Sequence, residues 1–260
     1  MPEMEDRYKH FLLEQAHRFN TLDFIADDPI SIPHLFDKQE DIEIAALLTA
    51  LISWGRRDLI IRSARQLMQR MDDRPHEFIL HSNLEKEVAL RGFVHRTFCE
   101  ADLRFVLQAL KRVYLQLGSL AEAFQLMPHE EDTQAAIQRF RTWMLKMPHE
   151  KRFEKHLASP EDGSAAKRLH MFLRWMVRKD QVGVDFGCWS HIPMQKLMIP
   201  LDVHSGRVAR EFGLLQRKQN DRKAVEELTL AARQIYPNDP ALLDYALFGL
   251  GVSASGNSQR

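Results

Sequence analysis

Two short segments, each opening a predicted helix, are the parts of the sequence that most clearly suggest chemistry. In the later of the two, at residues 199–210, Asp202 follows Pro200. It precedes a run with helical apolar spacing (Val203, Val208, Ala209, Phe212). Proline blocks a helix from continuing through it, and aspartate is a preferred N-cap. Asp202 is therefore predicted to cap a helix, and a carboxylate fixed in that way could also stabilise positive charge. A purely structural cap remains the alternative.

The first segment is a small-residue turn, Asp162-Gly163-Ser164-Ala165-Ala166, followed by Lys167-Arg168-Leu169. The exposed N–H groups of a helix that starts after such a turn form an anion-binding arrangement. Lys167 falls in the opening turn of that helix. An ordinary solvated surface lysine is the alternative interpretation.

Helical periodicity recurs along the whole chain and predicts an all-α fold. The expected helices lie at about 5–25, 41–53, 57–71, 101–117, 133–145, 165–177, 203–212, 222–235 and 240–250. The helix at 41–53 is apolar nearly all round, which is typical of a buried helix. Gly249 and Gly251 are predicted to end the last helix as a C-cap, and residues 253–260 are predicted to be a disordered tail.

The composition limits the class of protein. The 260 residues hold 36 Lys and Arg against 36 Asp and Glu. No apolar run is long enough for a membrane span, and the N-terminus lacks a secretory signal core, so a cytoplasmic protein is expected. Cys99 and Cys188 cannot form a disulfide framework or a four-thiolate centre.

Charge is unevenly distributed along the chain. Residues 1–60 carry a net charge of −6 and residues 151–218 a net charge of +6. The basic stretch is either a set of solvated helix faces or, if its side chains share one face, a phosphate-binding surface.

Together the two segments resemble the helix-hairpin-helix DNA glycosylase superfamily, which includes endonuclease III and the 8-oxoguanine glycosylases. Its motif is a glycine-rich hairpin, Gly-hydrophobic-Gly-x-Lys-x-Ala, followed by hydrophobic-Asp-x-His-x-x-Arg-hydrophobic. Leu201-Asp202-Val203-His204-Ser205-Gly206-Arg207-Val208 matches the second part closely, and Gly163, Ala165 and Lys167 match the first in part. The likeness covers about residues 38–250. It is closest to an uncharacterised bacterial branch that shares the run at 167–178.

The resemblance implies a two-lobed helical fold with a helix-hairpin-helix element and a cleft between the lobes. One lobe would span 38–180, and the other would combine 1–37 with 181–260. It also implies a base-excision repair enzyme, monomeric, that acts on double-stranded DNA with an oxidised purine such as 8-oxoguanine. Lys167 would attack the sugar and form a Schiff base, giving lyase activity as well as base removal, and Asp202 would assist.

Further roles follow from the same resemblance. Phosphates would be held by the hairpin and by nearby arginines, and a flipped base would stack on aromatic rings. The expected DNA-binding residues are Gly163, Ser164, Ala165, Arg168, Arg207 and Arg210, and the expected base-pocket residues are Trp54, Trp175 and Trp189. No cysteine cluster follows Gly251, so no iron–sulfur cluster is expected, and neither is another cofactor or a metal.

Three features depart from the family pattern. Ala165 replaces the second hairpin glycine, and Gly55 stands where endonuclease III-like enzymes carry a glutamine that fills the DNA stack. An insert at about 179–198 resembles that of archaeal 8-oxoguanine glycosylases. These departures leave two alternatives open, namely a scaffold that binds nucleic acid without cleaving it and an all-α adaptor that has lost both functions.

Overall fold

The structure is a computed structural model that describes the backbone of residues 6–256 and the side chains of residues 6–252. It confirms the all-α class. In chain order the elements are α1 (Asp6–Phe19), α2 (Asp23–Ala26), α3 (Gln39–Leu51), α4 (Arg57–Arg70), α5 (Pro75–His81), β1 (Val94–His95), β2 (Phe98–Cys99), α6 (Glu100–Leu117), α7 (Leu120–Ala123), α8 (Gln134–Met144), α9 (Lys167–Val177), α10 (Val203–Glu211), α11 (Arg222–Ile235) and α12 (Leu243–Gly256). Within the described residues, 3₁₀ helices lie at Pro29–Ser31, Pro33–Leu35, Val88–Leu90, Lys151–His156, Met194–Lys196 and Pro240–Leu242.

The chain divides into two compact units. Unit 1 comprises residues 1–24, 128–134 and 159–260, and unit 2 comprises residues 25–127 and 135–158. The lobes predicted from the sequence divide the chain at other positions, because residues 159–180, with the hairpin, lie in unit 1. The two segments that could carry chemistry, the turn before Lys167 and the helix start at Asp202, therefore belong to one unit.

Unit 2 is built around α3, which packs against α4, α5 and α7. The residues from Ile44 to Ile52 are at most 1% exposed, as the apolar sequence predicts. Glu43, a fully buried acid of this helix, accepts a hydrogen bond from the hydroxyl of Tyr114 (2.9 Å) and one from the amide of Leu120 (3.2 Å). These bonds satisfy a carboxylate that would otherwise be costly to bury.

Unit 1 is built around α12, which packs against α1 and α10. From Ala241 to Leu247, every hydrophobic side chain is at most 1% exposed. Such complete burial makes α12 the central helix of the unit rather than a surface helix. Its packing against α10 places it next to that helix.

The predicted end of the last helix is wrong. α12 continues through Gly249 and Gly251 to Gly256. The two glycines are needed for close packing, since a Cβ at Gly249 would lie 2.3 Å from the ring of Phe19 and one at Gly251 would lie 3.0 Å from the Cβ of His204. Residues 253–256 of the predicted disordered tail are thus helical, and residues 257–260 lie outside the described residues.

Among the described residues, no helix has the length and hydropathy needed to cross a membrane. The described strands form one antiparallel pair, β1 with β2, in which Val94 faces Cys99 and His95 faces Phe98. Arg96 makes the tight turn between them with a positive φ of 56°.

Candidate active site

Asp202 caps α10 with one carboxylate oxygen. Its Oδ1 accepts hydrogen bonds from the amides of His204 and Ser205, both at 2.9 Å. Ser205 completes a capping box, because its hydroxyl accepts the amide hydrogen of Asp202 at 2.9 Å. The cap predicted from the sequence is confirmed. The other oxygen, Oδ2, takes no part in the cap and is held in a fixed direction.

The start of α9 is formed differently. Its N-cap residue, Ala166, has a left-handed backbone with φ of 43°, and it supplies no side-chain hydrogen bond to the helix. The turn before it is closed by Gly163, whose amide bonds to the carbonyl of Pro160 (3.0 Å) and whose φ is 85°. The first-turn N–H groups of α9 therefore carry no side-chain cap from Ala166, which is compatible with anion binding.

Lys167 and Asp202 are brought together. The Nζ of Lys167 lies 3.9 Å from Oδ2 of Asp202, the oxygen that the cap leaves unused. The two side chains are 29% and 26% exposed, so both reach solvent while most of their surface is covered. The lysine amine also lies 3.4 Å from the sulfur of Met171, one turn along α9. An amine beside a fixed carboxylate can act as a nucleophile with an assisting base.

A buried ionic network continues along the same face of α9. Arg174 is hydrogen-bonded to Asp244 of α12 and lies 3.3 Å from Asp185. Its guanidinium also stacks on the ring of Tyr245, at 4.5 Å from the centroid. Arg174, Asp185 and Asp244 are each at most 6% exposed.

Arg178 extends this network by one turn of helix. It is 1% exposed and forms ion pairs with Asp185 (3.1 Å), Asp239 (2.9 Å) and Asp180 (2.7 Å). The hydroxyl of Tyr245 donates to Asp185 at 2.8 Å. Four aspartates thus face two arginines, and the network has more acidic than basic groups.

Asp244 is the member of the network that is electrostatically linked to the pair. Burial raises the pKa of its carboxyl to about 6, against the opposing effect of Arg174. Lys167 also favours the charged form of Asp244, and Asp202 disfavours it. The carboxyl of Asp244 is therefore close enough to Lys167 and Asp202 for both charges to affect its pKa.

The hairpin is fastened to the start of α11. Ser164 forms an antiparallel bridge with Asp221, and the carbonyl of Gly163 accepts the amide hydrogen of Arg222 at 2.9 Å. The Ser164 hydroxyl accepts from the amide of Ala166 at 3.2 Å. The polar groups of Gly163 and Ser164 that were expected to contact DNA are partly used within the protein. A 3₁₀ helix, Lys151–His156, precedes this turn and the α-helix α9 follows it.

The departure at Ala165 has a simple structural basis. Ala165 keeps a negative φ, and the left-handed positions of the turn are Gly163 and Ala166. A glycine is therefore not required at 165. Gly55, in unit 2, has φ of 99°, and a Cβ there would lie 2.6 Å from the guanidinium of Arg96. A glutamine at position 55 would be strained.

Two of the arginines expected to bind phosphate are bonded within unit 1. Arg210 donates to the carbonyls of Arg217 (2.8 Å) and Lys218 (3.0 Å) and to the side chain of Asn220 (2.6 Å), so it holds the loop after α10. Arg207 pairs with Glu211 at 2.8 Å on the exposed side of α10. Arg168 is half-buried, and burial lowers its pKa to about 10, which leaves it cationic at neutral pH.

The three tryptophans expected to form a base pocket lie in different surroundings. Trp175 and Trp189 are fully buried in unit 1, where Trp189 packs edge-on against Phe172. A ring with no exposed surface offers no face to a base, so both rings act as core residues here. Trp54 lies in unit 2, half-buried, in contact with the rings of His95 and His156.

A groove of about 420 Å³ lies between the hairpin and the start of α11, and neither Lys167 nor Asp202 is among its lining residues. It is lined by Glu161, Gly163, Arg217, Asp221, Arg222, Lys223 and Glu226. Arg217 pairs with Asp221, and Arg222 pairs with Glu226. With both signs of charge present and largely paired, this groove has no clear preference for an anion. Among the described residues, no three His, Cys, Asp or Glu side chains are grouped as metal ligands.

Comparison with known proteins gives a family and no function. The family described as "Protein of unknown function (DUF2400)" matches residues 28–253. The chain belongs to the DUF2400 family. No curated protein and no solved structure matches it. Within this DUF2400 protein, both Lys167 and Asp202 lie inside the matched range.

Sequence reasoning missed the buried part of the site. Arg174 lies seven residues after Lys167, which places both on one face of α9. Asp244 is the single charged residue in the apolar run 240–250. A lone acid in a buried helix requires a partner, and that requirement was the signal available from the sequence.

Proposed function

We propose that this DUF2400 protein is a DNA base-excision glycosylase with lyase activity, in which Lys167 is the nucleophile and Asp202 its carboxylate partner. The proposal includes the two-lobed, glycosylase-like fold that the sequence motifs imply. The observation that carries it is the 3.9 Å approach of Lys167 Nζ to Asp202 Oδ2. Lys167 and Asp202 are 35 positions apart in the sequence, so this approach depends on the packing of α9 against the start of α10.

The chemistry fits these groups. The neutral amine of Lys167 would attack C1′ of the nucleotide while the bond from C1′ to the base breaks and the base leaves with the electron pair and a proton. The attacking amine supplies the proton that the departing base takes up, and it keeps one N–H. Its lone pair then opens the sugar ring, O4′ takes up a proton from solvent, and the iminium results. Removal of a C2′ proton by a base then expels the 3′ phosphate by β-elimination. Asp202 Oδ2 would accept a proton from the amine and stabilise the cationic sugar.

The start of α9 suits a nearby phosphate. Its first-turn N–H groups follow the left-handed Ala166, which provides no cap, and Lys167 adds a positive charge. Helix N-termini of this kind favour negative ligands. The hairpin glycines of the motif would then act through the backbone, and Ala165 would not obstruct them because its φ is negative.

Duplexes that each contain one lesion test this function. We expect the purified chain to release a base from at least one oxidised-purine duplex and to nick the strand without added alkali. Lys167→Gln should lose at least about 100-fold in rate, by analogy with the loss of other catalytic side chains. Lys179→Gln, which removes an exposed lysine just beyond the other end of α9, is the matched control and should keep the wild-type rate.

The outcome also separates the non-catalytic alternative. If no duplex in a broad lesion panel loses a base or is nicked, the glycosylase proposal fails. Binding to undamaged duplex that weakens steeply with salt would then favour a nucleic-acid-binding scaffold, since phosphate contacts release counterions.

A further inference from the structure

Three helices of unit 1 converge beneath the Lys167–Asp202 pair. α9 meets the start of α10 through that pair, and it meets α12 through the bond from Arg174 to Asp244. α10 meets α12 where Gly251 lies against His204. Asp244 and Gly251 are seven residues apart and so share one face of α12. The face that carries Asp244 is therefore directed towards both partners of the pair.

The geometry of α9 points the network towards Lys167. Lys167, Met171, Arg174 and Arg178 follow at spacings of four, three and four, which is a single stripe along a helix. Lys167 and Arg174 are separated by roughly 10 Å of helix axis. Helical side chains lean towards the N-terminus, so the guanidinium of Arg174, and the carboxyl that it binds, lie back towards Lys167.

We propose that Asp244 is a positioning residue for the Lys167–Asp202 pair, a buried carboxyl that is held by Arg174 and acts on Lys167 through space. It takes no part in binding or cleavage itself. Its negative charge attracts the ammonium of Lys167 and supports positive charge that develops at that place. The role in cleavage rests on the proposed function, whereas the electrostatic coupling is a property of the protein alone.

The charged groups around Asp244 are those of the ionic network, with Asp185 on Arg174 and Asp239 on Arg178, and those of the helices that pack against α12. α9 contributes Arg174 and Lys167, and the start of α10 contributes Asp202. The neighbouring 3₁₀ helix, Pro240–Leu242, has no charged residue, and the residues that α1 buries are Leu12, Gln15 and Ala16. His204 is exposed on α10 near Gly251. A variant of His204 therefore serves as the control that separates the effect of α10 from that of Asp244.

The coupling can be measured without DNA. The lysines of the full chain are dimethylated with ¹³C-formaldehyde, which preserves their charge, and the Lys167 signal is assigned by its loss in Lys167→Arg. Since burial raises the pKa of Asp244 to about 6, we expect the Lys167 methyl carbons to show an inflection near pH 6. The inflection should disappear in Asp244→Asn and persist in both His204→Asn and Asp239→Asn.

The wild-type titration decides the matter even if Asp244→Asn does not fold. A Lys167 signal that is flat between pH 4.5 and 7.5 overturns the proposal, as does an inflection that His204→Asn removes. This result is independent of the glycosylase assay. An inflection from Asp244 without any base release would refute the proposed function and leave the coupling intact. Cleavage without the inflection would refute the coupling and leave the proposed function intact.

Discussion

At the scale of single residues, Asp202 shows how one carboxylate can serve two purposes. Its Oδ1 caps α10, and its Oδ2 faces Lys167. The sequence could predict the cap because proline, aspartate and an apolar period define a helix start locally. It could not predict the direction of Oδ2, which depends on how α9 and α10 pack.

Substitutions at Asp202 separate the cap from the chemistry. Asp202→Ala should lower the free energy of unfolding by about 0.5–2 kcal/mol, whereas Asp202→Asn should change it little, because asparagine is an equally good cap. Asp202→Asn should nevertheless lose about 10²–10³-fold in cleavage rate, since the amide carries no charge. Urea unfolding and the nicking assay measure the two effects. Full activity in Asp202→Asn would show that the residue is only a cap.

Asp244 makes stability depend on pH in an unusual direction. Its pKa is raised from 3.8 to about 6 by burial, so the folded protein binds more protons than the unfolded chain in this interval. The contribution of Asp244 to the free energy of unfolding is therefore fully present below about pH 4, and it is lost as the pH rises through 6. The loss amounts to about 3 kcal/mol.

The variant Asp244→Asn should remove this dependence. The difference in free energy of unfolding between Asp244→Asn and the wild type should shift in favour of the variant by about 3 kcal/mol from pH 3.5 to pH 7. Chemical denaturation across this range provides the measurement. Parallel curves for the two proteins would contradict a raised pKa at Asp244.

At the scale of elements, the stripe on α9 links an exposed amine to a buried network. Periodicity predicted the helix at 165–177, but it could not show that Arg174 and Arg178 are buried with aspartates from residues 180–244. Their partners are distant in sequence, and only the tertiary fold brings them together. Arginines in the basic stretch 151–218 therefore include structural residues as well as surface ones.

Breaking this network should be costly. Arg178→Ala leaves Asp185 and Asp239 buried without their shared cation, and we expect a loss of about 3–5 kcal/mol in the free energy of unfolding. Arg207→Ala, which removes an exposed pair with Glu211 and a hydrogen bond to the carbonyl of Gly251 (3.2 Å), should cost only about 1–2 kcal/mol. Equal losses in the two variants, measured by urea unfolding, would rule out a stabilising role particular to the buried network.

The hairpin before α9 provides a test of backbone conformation. Gly163 has φ of 85°, and a Cβ there would meet nothing within 4 Å. Gly163→Ala should therefore cost about 1 kcal/mol from conformation alone. Gly163→Asn should cost less, because asparagine tolerates the left-handed region better than alanine does. Thermal unfolding of the two variants gives the comparison, and an unchanged stability in Gly163→Ala would contradict the left-handed turn.

At the scale of the whole molecule, the charge asymmetry along the sequence does not become an asymmetry between units. Unit 1 contains 17 Lys and Arg against 19 Asp and Glu, and unit 2 contains 19 against 17. The acidic residues 1–60 and the basic residues 151–218 are both divided between the units. Linear charge counts could not anticipate this, because the chain enters unit 1 three times.

In the proposed function, Lys167 forms a covalent bond to the sugar of a nucleotide. To test this bond, the full chain is mixed with a duplex that contains an abasic site and reduced with borohydride. Peptide mass mapping then locates any adduct. We expect an adduct on the peptide that contains Lys167, absent in Lys167→Gln and present in Lys179→Gln. No adduct on the abasic duplex, or an adduct confined to another lysine, would contradict it.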